Sequence, residues 1–343
     1  MVSAKKVLVI QLRQLGDILL TTPCLKAIKE EYSEHQIVFL SHPMGKLILK
    51  DCPYIYDHWT LDKGFGETLV LLKKIRAFGF HQLIDFMANP RSALISALSG
   101  IKVKGAFSGR RSFAYNVIEP RPDPSPYIVE GKFRLLRRLG YQPNSDVGLI
   151  LPWFEQDTQV LWTLLRNHYP FLTARLRIAI SPTHRREVRR WPLEHYAALA
   201  DRLVKEWGAH ILWLWGPGEE AVADHCISLC RAETSKIPTT SFRQMAAVMA
   251  NCDAMIGNSN GPSHVAVATD ICSLTLHGPT ESWAWSPLTS KHQAIQGRYG
   301  KELAANLNQI TIDEVWKKLG EMKTQILAQA EKRQRLGVKE KWR

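Results

Sequence analysis

The chain has 343 residues, 45% hydrophobic and 22% charged, a globular composition long enough for two domains of ordinary size. No apolar run approaches the length of a membrane span, and the short run Val7 to Leu12, soon interrupted by Arg13 and Asp17, reads as a first strand rather than a signal peptide. The six cysteines are scattered, which points to a reduced, cytoplasmic setting; Cys226 and Cys230 share a helix face and read as core, with no second Cys or His pair at metal spacing.

The formal net charge is +13 and unevenly spread. Residues 1–200 carry 28 Lys and Arg against 17 Asp and Glu, residues 201–300 carry 7 against 9, and residues 301–343 carry 10 against 6. Such a field favours an anionic partner: a phosphorylated glycolipid, a membrane surface or nucleic acid. Nucleic-acid binding has no module behind it, only net charge.

In chain order, residues 5–12 predict a strand and Arg13 to Gly16 a tight turn. From Asp17 the spacing of Ile18, Leu19, Leu25, Ile28 and Tyr32 predicts a helix, with Pro23 delaying or bending it. Asp17 is either an N-cap or a carboxylate at the carboxyl end of the first parallel strand, the edge where open α/β sheets bind ligands. Further strands are expected over residues 36–40, 54–58, 80–86 and 103–107. Helices are expected over 42–51, 66–78, 93–98 and 129–139, with a loop at 120–126. Residues 142–153 read as a connection with an edge strand, and 157–167 as a helix.

A second α/β unit starts with a strand over 176–180. It is followed by SPTHRREVRRWP (181–192), with four arginines between Arg185 and Arg190. Helices over 193–207, 221–232 and 241–250 alternate with a strand over 210–215 that ends in Gly216-Pro217-Gly218-Glu219-Glu220. Met245, Ala246 and Met249 read as core. A strand over 254–256, a turn from Gly257 to Pro262, a small-residue helix from Ser263 and a strand over 271–276 follow. Trp283, Trp285 and Pro287 read as an irregular loop, and residues 312–328 as a closing helix that crosses back to the first unit. The alternation is the signature of doubly wound parallel sheets. The α/β domains are expected at residues 1–165 and 166–328, with a basic tail at 329–343.

Four turns fall at strand carboxyl ends: 13–17, 181–190, 216–220 and 258–264. A helix that starts at a glycine turn offers free N–H groups and a positive dipole end to a phosphate or diphosphate. Arginines offer bidentate phosphate contacts. Glu219 or Glu220 can accept ribose hydroxyls, and Asp17 can accept the proton of an attacking hydroxyl. Together these make a group-transfer site in a cleft between two domains.

QLRQLGDILLTTP (11–23), RRWP (189–192), WGPGEE (215–220) and NSNGPSHVAVA…LHGPT (258–280) occur in order, and in them the chain resembles the ADP-heptose:lipopolysaccharide heptosyltransferases, glycosyltransferase family 9. The resemblance implies a GT-B fold, two Rossmann-like domains facing across a cleft. It implies inverting transfer of a heptose from ADP-heptose to a hydroxyl of the lipopolysaccharide inner core, with no cofactor and no obligatory metal. It also implies work at the cytoplasmic face of the inner membrane of a Gram-negative bacterium, in contact with an anionic glycolipid and without nucleic acid. By the same resemblance Asp17 is the base, Gly16 lets the backbone approach the substrate, and Arg189, where Lys is usual, stabilises the diphosphate. Glu219 falls on the ribose position, with Glu220 the alternative, and Thr240 on the adenine pocket. Gly261, Pro262, Ser263 and His264 fall on the diphosphate. Thr183, Ser259 and Asn260 are also assigned to the donor, and Arg13, Gln14 and Arg91 to the acceptor.

Ser259-Asn260-Gly261 departs from the family's Asp-Thr-Gly or Asp-Ser-Gly, which removes a carboxylate from the donor-sugar position. The alternatives are that Asn258 compensates, that the donor sugar differs from L-glycero-D-manno-heptose, or that sugar binding is weaker. The competing readings are a different nucleotide-sugar donor on the same fold, and an inert sugar-nucleotide-binding or scaffold protein. A nucleotide-dependent oxidoreductase ranks low because no GxGxxG follows the first strand.

Overall fold

A computed structural model describes residues 5–62, 64–121, 126–144, 148–152, 173–298 and 307–340. The chain divides into two compact units, Met1–Pro152 and Trp153–Arg343. The expected boundary at residue 165 and the helix expected over 157–167 lie outside the described residues.

The first unit runs β1 (Lys6–Ile10), α1 (Leu15–Leu19), α2 (Thr22–Glu31), β2 (Gln36–Ser41), α3 (Lys46–Leu49), β3 (Asp57–Thr60), α4 (Phe65–Phe78), β4 (Gln82–Asp85), α5 (Pro90–Leu98), β5 (Val103–Phe107), β6 (Val117–Glu119) and α6 (Ile128–Arg138). Its sheet is wholly parallel in the order β3-β2-β1-β4-β5-β6. Helices cover both faces, so the central strands are near-continuous apolar runs: Val7 to Ile10 and Ile37 to Leu40 are buried at every position.

Two local features depart from the sequence reading. The helix expected from Asp17 begins at Leu15, because the Asp17 carboxylate at its third position reaches back to the Gln14 N–H at 2.9 Å. It breaks after Leu19, and Pro23 then sits in the first turn of α2, where its missing N–H is no loss. The sheet edge is closed by β6 and not by the strand expected in 142–153, whose described residues carry none. A three-residue strand is too short for apolar alternation to announce it.

The second unit runs β7 (Leu176–Ser181), α7 (Leu193–Trp207), β8 (Ala209–Trp213), α8 (Glu220–Leu229), β9 (Ser235–Lys236), α9 (Phe242–Ala250), β10 (Ala254–Asn258), α10 (Gly261–Ala268), β11 (Cys272–His277), α11 (Ser282–Trp285), β12 (His292–Gln296) and α12 (Ile312–Glu340). Its parallel order is β12-β11-β10-β7-β8-β9. Trp191, Trp213 and Tyr196 are the largest side chains sealed in its core. In each unit the chain builds outward from a central strand, then returns to build on that strand's other side. The reversal lies between β1 and β4 in the first unit and between β7 and β10 in the second. Loops leaving such a pair diverge and open a crevice at the carboxyl edge. β10 approaches β7 so closely that a Cβ on Gly257 would lie 2.7 Å from the Ser181 carbonyl oxygen, so only glycine fits there.

α12 does not end at residue 328 but continues to Glu340, and it packs on α7, β7 and β11 of its own unit. Its last turns are fastened by Arg333, whose Nε lies 2.7 Å from the buried Asp253 carboxylate and whose Nη2 donates to the Arg175 carbonyl at 2.8 Å.

The β7 and β10 loops are tied by Asn258, which is fully buried. Its amide oxygen accepts from the Trp191 N–H and the Tyr196 hydroxyl, both at 3.0 Å. Its amide nitrogen donates to the carbonyls of Pro182 at 2.9 Å and Thr183 at 3.4 Å.

Two stability outcomes follow. Asn258→Ala leaves those four groups without their shared partner and should lower unfolding stability by about 3 kcal/mol in urea denaturation. Arg333→Met strands a buried carboxylate and should cost about 3–5 kcal/mol. Wild-type midpoints in both variants would refute this account of how the second unit is held.

Candidate active site

In the first unit Asp17 is half-buried on α1, at the carboxyl end of the central strand. One carboxylate oxygen takes the Gln14 N–H; the other has no hydrogen-bond partner among the described residues. Gly16 is half-buried in the same turn, and Arg13 and Gln14 are exposed beside it. The turn is braced by the β4–α5 loop, where the Met87 sulfur accepts from the Leu12 N–H at 3.1 Å and the Arg13 N–H at 3.4 Å. That loop is held by buried Asp85, which accepts from the N–H groups of Met87 at 2.9 Å and Ala88 at 3.0 Å. Burial pushes the Asp85 carboxyl up, against the pull of its Ser92 and Tyr115 hydrogen bonds. Arg91 is already engaged: Nε donates to Thr68 Oγ1 at 3.0 Å, and the other guanidinium nitrogens donate to the carbonyls of Asp62 and Gly64. It braces the approach to α4.

Sequence reasoning missed Lys132 on α6. Its buried ammonium donates to the Asp17 carbonyl at 3.2 Å and to Thr21 Oγ1, and lies 5.0 Å from the centre of the Phe86 ring. Burial lowers its pKa to about 8, with Cys24 and Asp17 opposing. The signal was present in the sequence. Val129, Lys132, Phe133 and Leu136 follow helical core spacing, so a lysine stands in an apolar stripe.

In the second unit the loops after β7, β8, β10 and β11 leave one edge of adjacent strands. Arg189 ends a 3-10 turn, Glu187–Arg189, and its Nε is buried with no hydrogen-bond partner among the described residues. Asn260 Oδ1 and Thr280 Oγ1 share that condition. A buried polar atom without a partner in a folded protein calls for an explanation, and a bound ligand supplies one. Asn260 Nδ2 meanwhile donates to the Thr183 carbonyl at 2.8 Å, and Ser263 Oγ to the Asn260 carbonyl at 2.7 Å. Thr183 is buried, Ser259 is half-buried with its N–H on the Leu276 carbonyl at 3.0 Å, and Gly261 and Pro262 form the first turn of α10.

The electrostatics of this edge are one-sided. His277, at the end of β11, is fully buried and donates or accepts at Ser286 Oγ over 3.1 Å. Its imidazole is pushed down to about 3, first by burial and then by neighbouring His264 and Arg189. His184 is also held below the usual histidine range, by burial and then by Arg189. Burial and Arg186 lower Arg189 itself. Arg189 therefore shares its surroundings with two imidazoles, a setting that an anion relieves. His184 and His277 were not singled out from the sequence; both lie inside motifs that were.

The two acidic candidates separate. Glu220 is exposed and paired with Lys236 at 2.8 Å, which also holds Asp224. Glu219 is half-buried after β8, with one oxygen on the Gly216 N–H at 3.3 Å. Glu219 is thus the carboxylate left to face a ligand. Thr240 is half-buried just before the Ser241 cap of α9. Asn258 does not compensate for the missing carboxylate at Ser259, because its amide is saturated by protein partners. Among the described residues no group of three or more His, Cys, Asp and Glu is arranged to hold a metal ion.

The family model for glycosyltransferase family 9 (heptosyltransferase) matches residues 68–310. The lipopolysaccharide heptosyltransferase 3 of Escherichia coli K12 is 25% identical over 316 residues, covering 84% of this chain and 88% of that protein. Among solved structures, a glycosyltransferase family 9 protein from Veillonella parvula superposes with a TM-score of 0.81 at 18% identity, over 94% of this chain and 97% of that one. The E. coli ADP-heptose lipopolysaccharide heptosyltransferase II gives 0.75 at 20% identity, over 94% and 99%. The two parallel sheets are thus those of the GT-B fold, and the chain belongs to glycosyltransferase family 9, the heptosyltransferase family.

Proposed function

We propose that this protein is an inverting heptosyltransferase that moves a heptose from ADP-heptose to a hydroxyl of the lipopolysaccharide inner core, at the cytoplasmic face of the inner membrane of a Gram-negative bacterium. One observation carries the reading. The reversal point of the second sheet gathers Arg189, a helix N-terminus and buried polar atoms without partners among the described residues, an arrangement that suits a diphosphate. The donor identity leans on the family and on the named activity of the E. coli relative.

In this mechanism the acceptor hydroxyl oxygen attacks the anomeric carbon of the heptose, and its proton passes to the unpartnered carboxylate oxygen of Asp17. The bond from the anomeric carbon to the diphosphate oxygen breaks, and ADP leaves with the electron pair. Arg189 and the N–H groups at the start of α10 stabilise the charge that develops there. Glu219 accepts the ribose hydroxyls, Thr240 borders the adenine, and Arg13 and Gln14 meet the anionic acceptor. No step calls on a metal or a cofactor. A second reading, another nucleotide sugar, is favoured by Ser259, whose hydroxyl stands where the family places a carboxylate.

Calorimetric titration with ADP, UDP, GDP and ADP-heptose separates the two: ADP should bind best and the heptose should tighten it. A preference for UDP or GDP moves the enzyme to another donor. Asp17→Asn should lower kcat about 10²–10⁴-fold with ADP affinity unchanged; surviving turnover removes Asp17 as base. Arg189→Gln should lower kcat about 10²-fold, and Arg189→Lys should recover part of it. Equal rates in all three forms would take Arg189 out of the mechanism.

A further inference from the structure

Residues 68–118 contain eight Lys and Arg but a single acid, Asp85, which is fully buried and bonded to the Tyr115 hydroxyl at 2.5 Å. The surface of this stretch therefore carries only basic charge, with the exposed Glu67 of the first turn of α4 at its border. It also holds six of the thirteen large apolar side chains exposed among the described residues: Leu69, Val70, Leu94, Leu98, Val103 and Phe113. Single exposed hydrophobes are ordinary, but a group of them rimmed by one sign of charge marks a docking surface.

Three bonds make this one surface. Arg91 Nε to Thr68 Oγ1 at 3.0 Å and Arg76 Nε to the Leu98 carbonyl at 3.0 Å join α4 to α5. Ser96 Oγ to the Ala114 carbonyl at 2.8 Å joins α5 to the 3-10 turn Ser112–Ala114. Leu94 and Leu98 stand one turn apart on the outer side of α5, away from buried Ala93, Ile95 and Ser96. Phe113 is 82% exposed and lies two residues after Arg111. Lys73, Lys74 and Lys102 are exposed around them.

The chemistry narrows the occupant. Five of the six apolar groups are aliphatic and do not stack on bases, which argues against a single-stranded nucleic acid. An anionic bilayer meets both halves of the surface, with phosphate headgroups for the cations and the acyl boundary for the apolar chains. In the other basic segment, three cations have acidic neighbours among the described residues. Arg333 is buried on Asp253, Lys332 lies 3.9 Å from Asp270, and Arg335 lies 3.8 Å from Glu331.

We propose that the outer face of α4, α5 and the Ser112–Ala114 turn docks this protein on an anionic lipid bilayer, with Phe113, Leu94 and Leu98 in the headgroup–acyl boundary and Lys73, Arg110 and Arg111 on lipid phosphates. Its purpose, presenting the first unit to a lipid-borne acceptor, rests on the transferase reading; the binding does not.

The test is flotation of the full chain with phosphatidylglycerol vesicles and with phosphatidylcholine vesicles, at low and high salt. Wild type should float with the anionic vesicles only. Arg110→Gln with Arg111→Gln should weaken this about 30-fold, an effect that salt erases. Phe113→Ser should weaken it about tenfold at either salt. Lys332→Gln with Arg335→Gln should float like wild type. Thermal unfolding confirms that each exposed substitution leaves the fold intact. The proposal is overturned if the Arg110, Arg111 and Phe113 variants float undiminished, if the Lys332 and Arg335 variant alone loses flotation, or if wild type binds a single-stranded oligonucleotide but not these vesicles. ADP binding by calorimetry in the same samples should not change. Its absence from wild type would sink the ADP-heptose reading and leave the lipid result standing.

Discussion

The carboxyl edge of the second sheet depends on one buried amide. A parallel sheet delivers every strand-to-helix loop to the same edge, but parallel pairing alone does not fix how those loops stand. Asn258 fixes them by joining the backbone of Pro182, Thr183 and Trp191 and the hydroxyl of Tyr196 to the last residue of β10. Both of its donors and both acceptor positions are used. The edge is therefore rigid where Asn258 sits, and ligand chemistry falls to its neighbours. Arg189 is two residues before Trp191, and Asn260 two after Asn258, so each candidate group is a short step from the fixed point.

That rigidity lets the site hold groups that a softer structure would not. A buried Arg189 Nε without a partner, and two imidazoles pressed toward neutrality beside it, each work against folding. Arg189, Asn260 and Thr280 could relax by turning toward one another or toward water if their loops were free. Instead the apolar core around Trp191, Tyr196 and Trp213 holds the backbone in place and offsets the penalty. Held toward the neutral form, His184 and His277 add dipoles rather than further full charges beside Arg189, which Arg186 already opposes.

The central strands were legible because burial on both faces leaves an unbroken apolar run, as in Val7 to Ile10 and Ile178 to Ile180. Helix α7 was legible to the residue, since Pro192 precedes it and Gly208 closes it in the left-handed region at φ 63°. β6, β9 and β12 were not. They are edge strands, short or half-buried, and their pairing is imposed by the neighbouring strand rather than by their own pattern. The end of α12 was misread because its last turns look like a charged tail. One arginine among those charges points inward, and only the structure shows Asp253 waiting for it. At the candidate site, spacing singled out Asp17, Arg189 and the α10 turn. It left Glu219 and Glu220 equal, because the pairing of Glu220 with Lys236 from across the sheet edge is invisible to spacing. It also left Asn258 open as a stand-in for the missing carboxylate, when the fold had already used its amide.

Lys132 shows why such groups escape pattern reading and still matter. α1 ends at Leu19, so the Asp17 carbonyl has no further turn of its own helix to satisfy it. Thr21 Oγ1 donates to that carbonyl at 2.8 Å, and the Lys132 ammonium donates at 3.2 Å while also meeting the Thr21 hydroxyl. A leucine at 132 would fill the space and leave α1 without its C-terminal cation; an exposed lysine would lose the geometry. The buried cation is tolerated because the Phe86 ring and two oxygens replace its water, and burial still drags its pKa down to about 8. Desolvation on that scale is a poor way to gain stability, since an apolar side chain would serve the core better. What it secures is the position of the short helix that carries Asp17, the placement that the proposed role of its carboxylate calls for.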